Sequence, residues 1–171
     1  RAADRGEPGA SVAQARERSG MNALLLEERQ HEGRAKEFIV NKTRDGVALD
    51  LGGIGKGYAL DVAREALESW DAQAALLSAG ESTLLPIGRP EWRGGWPVRL
   101  GAVPQDPLSG RKIELAGRAL SGSSFEMQGR HILDPRTGRW AAGKAGAWAL
   151  APAAAEADAL STAFLVMNRE E

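Results

Sequence analysis

A mixed α/β fold, with a layered mixed sheet packed against helices in a single domain, is what this sequence predicts, and three observations carry the prediction. A short apolar run, Val47-Ala48-Leu49, turns through Gly52, Gly53, Gly55 and Gly57 into a segment whose Ala59, Ala63, Ala66, Leu67 and Trp70 recur at helical spacing. A second helical segment, Ala154 to Met167, closes the chain, and between the two lie short apolar runs punctuated by Gly- and Pro-rich loops. Finally, 171 residues with 43% hydrophobic content are enough for one domain with a substantial core.

Taken in order, residues 1–10 are polar or small and form a tail, followed by a short Ala-, Arg- and Glu-rich helix from Ser11 to Ser19 that Gly20 stops. Met21 to Leu26 and Phe38 to Asn41 are expected strands around a charged turn in which His31 lies at the surface. The glycine turn opens a helix from Gly57 to Trp70. Ala74 to Ser78 has the look of a buried strand and ends in a second strand-to-loop corner, Ser78-Ala79-Gly80-Glu81-Ser82. A loop over Ile87 to Gly95 precedes strands at Val98 to Val103, Lys112 to Leu115 and Arg118 to Ser121, in a hairpin-like pattern.

Composition excludes several functions. The net charge is −1, from 22 basic and 23 acidic residues without a block of one sign, so the electrostatic footprint of a nucleic-acid binder is missing. Without cysteine there is no thiolate zinc site, thiol nucleophile or disulfide, and His31 and His131 are the only imidazoles. No apolar run approaches the ~20 residues of a membrane span, and the first residues lack a signal peptide's apolar core. The chain begins at Arg1 and ends just after an apolar helix; the expectation is a domain over residues 11–171 truncated at both ends.

Three constellations carry chemistry. The glycine turn brings backbone N–H groups toward an anion at the positive end of a helix, and Lys56 adds a whole charge, so it has the make-up of a phosphate site. It is not a Walker loop, because Asp50 and Gly57 stand where that motif needs Gly and Ser or Thr. The second, His131-Ile132-Leu133-Asp134-Pro135-Arg136-Thr137-Gly138, places a histidine at a strand end before a turn; its imidazole or Asp134 could act as a base, while the plain alternative is a turn with a self-bonding Asp. In the third, Asp158 and Thr162 stand at i and i+4 on one helix face, a carboxylate and a hydroxyl of the kind Mg²⁺ accepts. Asp158→Asn should then leave stability near wild type, whereas an Asp serving its own helix dipole would cost about 0.3–1 kcal/mol.

Together the three motifs resemble the FAD:protein FMN transferases, the ApbE-type flavin transferases, in order and spacing from about Ser11 to Met167. The resemblance implies an α/β enzyme that uses Mg²⁺, cleaves FAD, attaches FMN through a phosphoester to a Thr or Ser of a partner flavoprotein and releases AMP. The alternatives are an FAD pyrophosphatase and a non-catalytic flavin- or nucleotide-binding module. By resemblance Gly52, Gly53, Lys56, Gly57, Val62, His131 and Ile132 would contact the flavin nucleotide, and the Ala59 carbonyl, Asp158 and Thr162 would hold Mg²⁺. His131 and Asp134 would be the catalytic groups. The implied acceptors are flavoprotein subunits facing the periplasm, with this protein periplasmic or membrane-anchored. The chain departs from the family pattern at Ser78 to Ser82, where Asn-x-Gly-Gly-Asp is usual, and at Leu120-Ser121-Gly122, where Thr-Ser-Gly is usual.

Overall fold

A computed structural model of the chain describes residues 19–31, 33, 36–101, 110–125, 131–168 and 170. In chain order its elements are β1 (Leu24–Arg29), β2 (Glu37–Lys42), α1 (Gly55–Ser69), β3 (Ala75–Ala79), β4 (Thr83–Ile87), β5 (Trp96–Arg99), β6 (Lys112–Leu115), β7 (Ala119–Ser124), β8 (Gly146–Ala151) and α2 (Ala154–Val166). The chain divides into two compact units, one containing Leu51–Ile132 and Ala141–Glu171, the other Gly6–Asp50 and Leu133–Trp140. The expected tail, the expected first helix apart from Ser19, Val103 and Gln128 to Arg130 lie outside the described residues.

The first unit is built on a four-stranded sheet in the order β3-β4-β7-β8, and every ladder in it is antiparallel. Side chains alternate across a strand, so each face has its own partner. Leu85, Ala119 and Ala151 face the helices and bury against Leu60 of α1 and Ala154 and Ala157 of α2. Leu120 faces the other way, into a cluster with Val98, Leu100 and Leu115, where the β5–β6 ribbon covers the sheet with Trp96 opposite Leu115. Helices, sheet and ribbon thus form three layers. At the centre Leu85 is 1% exposed, a burial that stabilises by about 1.5–3 kcal/mol. α1 ends with Asp71 N–H bonded to Glu68 O and Ala72 N–H to Leu67 O, with Asp71 at φ +57 in the left-handed conformation such a stop requires.

In the second unit a 3₁₀ turn at Met21–Ala23 leads into the β1–β2 hairpin, antiparallel from Leu24 opposite Lys42 to Arg29 opposite Glu37. His31 is exposed and meets Glu37 at 3.4 Å, so it is a surface residue as expected.

The layered mixture of helices and sheet agrees with the sequence, but several boundaries do not. Val47 to Leu49 is not a strand; Val47 is buried, Leu49 is exposed, and the run pairs in none of the described ladders. β4 and β8 were not expected. Pro86 makes β4 look like a loop, yet β7 pairs only with Thr83 and Leu84, so no ladder bond on that side is asked of the proline. The strand expected from Val98 begins at Trp96 and ends at Arg99, and β7 runs on to Ser124. His131 and Ile132 belong to no strand; beside them is only the isolated bridge of Leu133 with Trp140, which closes the turn after Asp134.

Candidate functional site

The site begins with strand alternation. Thr83 lies on the same side of β4 as Leu85, and Ser121 and Ser123 on the same side of β7 as Ala119, so three hydroxyls point toward the helices. Thr83 is registered opposite Ser121, and their oxygens are 3.0 Å apart. Over them passes α2, whose Ala157, Asp158, Ser161 and Leu165 make one buried face at helical spacing. Ser161 Oγ lies 2.8 Å from Ser123 Oγ and 3.3 Å from Ser121 Oγ; Thr162 Oγ1 lies 3.2 Å from Ser123 Oγ. Ser161 and Thr162 also donate back to the Asp158 carbonyl, at 2.9 and 3.4 Å.

At the centre of this network is the Asp158 carboxylate, 2% exposed. An isolated buried charge is costly, so its partners matter. Oδ1 accepts from Lys56 Nζ at 3.0 Å and from the Thr83 and Ser121 hydroxyls at 3.4 Å each; Oδ2 accepts from Gly57 N–H at 3.1 Å. Gly57 is in the first turn of α1, where unpaired amides and the helix dipole favour an anion. Lys56 and Gly57, which the sequence offers to a phosphate, therefore bind in the first place a carboxylate of the chain itself. In the same turn the Ile54 and Gly55 amides bond back to Leu51 O at 3.1 and 2.7 Å. The expectation of bare amides facing an external anion is corrected at Gly55 and Gly57 by these bonds.

Two glycines owe their place to close approach. A Cβ on Gly57 would lie 2.1 Å from the Ala154 carbonyl oxygen, and one on Gly122 would lie 2.9 Å from the Trp148 ring. Gly53 faces Thr162, with its Cβ position 3.7 Å from Thr162 Oγ1.

The structure thus brings Gly53, Lys56, Gly57, Asp158 and Thr162 together. Ala59 and Val62 are on the exposed side of α1, and Gly52 is exposed in the turn. Ile132 is half-buried, and its carbonyl accepts from Ala141 N–H at 2.9 Å. His131 is exposed, with its ring meeting Phe125 edge-on at 6.2 Å. Sequence reasoning missed Thr83 and Ser161, and it noticed Ser121 and Ser123 without a role. The alternating serines of β7 were the available signal; Thr83 had none, because its strand was not recognised.

Asp134 lies in the second unit as a turn-builder. Oδ1 accepts from Arg136 N–H at 2.8 Å and Nε at 3.0 Å, Oδ2 from Arg136 Nη2 at 3.0 Å, and the Asp134 carbonyl takes Thr137 and Gly138 N–H. The hydrogen bonds from Arg136 hold its pKa below the ordinary 3.8. A depressed carboxyl pKa favours the folded turn above 3.8, and that contribution is lost as pH falls through the lower folded value. The Asp134 carboxyl carbon signal should therefore titrate below 3.8 and move up in Arg136→Ala. A midpoint indifferent to Arg136→Ala would remove Arg136 as the cause.

Among the described residues no three His, Cys, Asp or Glu side chains gather as metal ligands. Beside the Lys56 ammonium and the Gly57 amide, the groups around Asp158 are hard oxygens, one carboxylate with the Thr83, Ser121 and Thr162 hydroxyls, and these donors are of the kind Mg²⁺ takes, typically one or two carboxylates with waters kept. No helix among the described residues is long and apolar enough to cross a membrane.

A family model described as the ApbE family matches residues 2–171. The chain is 29% identical over 125 residues to a curated FAD:protein FMN transferase of Klebsiella pneumoniae (strain 342), covering 61% of this chain and 36% of the relative. Two crystal structures resemble it. The apo flavinyl transferase ApbE of Pseudomonas stutzeri superposes with TM-score 0.71 at 26% identity, over 93% of this chain and 48% of that one. The ApbE protein of Thermotoga maritima does so with TM-score 0.73 at 32% identity, over 92% and 50%. The chain spans about half the length of those two structures.

Proposed function

The chain belongs to the ApbE family, and from that premise we propose that it carries the pyrophosphate-handling part of a Mg²⁺-dependent flavin transferase, which cleaves FAD, joins FMN through a phosphoester to a Thr or Ser of a partner flavoprotein and releases AMP. The observation that supports this best is the meeting of Lys56 and the Gly57 amide on the buried Asp158 carboxylate, with Thr162 bonded to the carbonyl of the same residue. Asp158, Thr162 and the Ala59 carbonyl would hold Mg²⁺, which when bound supplies positive charge to the non-bridging oxygens of a pyrophosphate. The half-exposed Lys56 can turn its ammonium toward the same oxygens, and Gly52 and Gly53 let a phosphate come close to the backbone. Val62 and Ile132 would pack against the nucleotide. The acceptor hydroxyl oxygen bonds to the FMN phosphorus, the bond from that phosphorus to the bridging oxygen breaks, and AMP leaves with the electron pair. His131, exposed and outside the strands, takes the hydroxyl proton in this proposal. Asp134 serves as the anchor of its turn, since a carboxyl held below its ordinary pKa is a poor base. A periplasm-facing acceptor belongs to the same proposal.

Incubating full-length protein with FAD, Mg²⁺ and a candidate acceptor domain, then weighing the acceptor, tests it. An FMN-sized mass gain is expected; free FMN with AMP would make the protein a pyrophosphatase, and neither product would make it a binding module. Lys56→Ala should weaken FAD binding by roughly 1–3 kcal/mol, the loss for a hydrogen bond to a charged group. Wild-type affinity in a titration would mean that the lysine serves Asp158 alone.

A further inference from the structure

Asp61 ends the glycine motif, yet nothing in the proposed chemistry uses it. Both helices start without a cap of their own: Ile54 and Ala153, the N-cap residues of α1 and α2, make no side-chain capping bond. Each helix is capped by an aspartate of the other. Asp158 of α2 takes the Gly57 amide of α1 at 3.1 Å, and Asp61 of α1 takes the Ala154 and Ala155 amides of α2 at 2.9 Å each. Asp61 is itself mostly buried, with Arg64 Nη2 at 3.5 Å.

We infer that Asp61 is the positioning residue for Asp158. Asp158 and Ser161 bond to sheet hydroxyls, but ahead of them the buried residues of α2 are Ala154 and Ala157, whose apolar contacts are non-directional and do not by themselves fix where the helix starts. Two hydrogen bonds to named amides are directional and leave one place for Ala154. Asp158 lies about one turn further on, so that place sets where its carboxylate meets Gly57 and Lys56. The far end of α2 is held independently by Lys144, which donates to the Phe164 and Met167 carbonyls. Loss of Asp61 therefore loosens the end that carries Asp158.

The test separates a cap from a positioning bond. Asp61→Ala should lower Tm by roughly 2–4 °C, the effect of one lost cap in a chain of this size. It should also speed amide exchange at Gly57, relative to buried Leu85, by roughly tenfold. Ala153→Ser then supplies a local cap, because a serine there lies three residues before Glu156 in the capping-box pattern. In Asp61→Ala with Ala153→Ser, Tm should recover while Gly57 still exchanges fast. If exchange at Gly57 recovers with Tm, or never changes, Asp61 is only a cap and the inference is overturned. Should Asp61→Ala not fold, Asp61→Asn, which keeps one accepting oxygen, gives the same comparison. The accompanying loss of FAD affinity rests on the flavin-transferase reading; fast exchange with unaltered affinity would support Asp61's role and count against that reading.

Discussion

Asp158→Asn is expected to destabilise the chain by about 1–3 kcal/mol with no metal present, the cost of leaving buried hydrogen-bonding groups unmatched. From the sequence alone the same substitution looks nearly neutral, because Asn has almost the shape of Asp. The structure changes that expectation. The carboxylate accepts from four groups, Lys56, Gly57, Thr83 and Ser121, and is 2% exposed. A carboxamide has one accepting oxygen, and its NH₂ must then face either the Gly57 amide or the Lys56 ammonium, donor against donor. Urea denaturation measures the loss, which is large against the 5–15 kcal/mol that holds a typical domain together. A wild-type midpoint would show that the network contributes no stability. In full-length protein the Mg²⁺ concentration for half-maximal activity should also rise steeply, and unchanged metal dependence would remove Asp158 from the metal site.

Gly57→Ala should cost about 3 kcal/mol, at the top of the usual range for overpacking. The new Cβ would lie 2.1 Å from Ala154 O, 2.4 Å from its carbonyl carbon and 2.6 Å from Ala155 Cα, all backbone atoms that cannot rotate away. The helices must separate, which lengthens the bonds of Asp158 and Asp61 together. Gly→Ala inside a helix otherwise gains up to about 1 kcal/mol, so the clash wins. Gly55→Ala is the control, for its Cβ would meet only Leu51 Cβ at 3.9 Å; it should stay within about 0.5 kcal/mol of wild type. Equal midpoints for the two variants would mean that the helices part without cost.

What was legible in the sequence was local. Both helices were legible to within two residues at either end, the start of α1 from its glycines, the strand at Ala75 from a short apolar run and the strand at Lys112 from its place in a hairpin-like pattern. β8 escaped notice because Gly146-Ala147-Trp148-Ala149-Leu150-Ala151 is half alanine and begins with glycine, both residues depleted in strands. Its three alanines share the buried side of the strand, and Ala151 packs against Ala154 and Ala157 of α2.

By itself, then, the sequence determined the mixed α/β class, the two helices, the motif resemblance and the choice of Lys56, Asp158 and Thr162 as candidates, since residue type and spacing of three or four are properties of one segment. Only the tertiary structure decided which anion the glycine turn receives, which hydroxyls stand beneath it and which aspartate caps which helix. Those bonds join residues 101 and 102 positions apart at Gly57 and Lys56, and 93 apart at Asp61. No local period encodes such separations; they follow from sheet register and from the one glycine at which the two helices can touch.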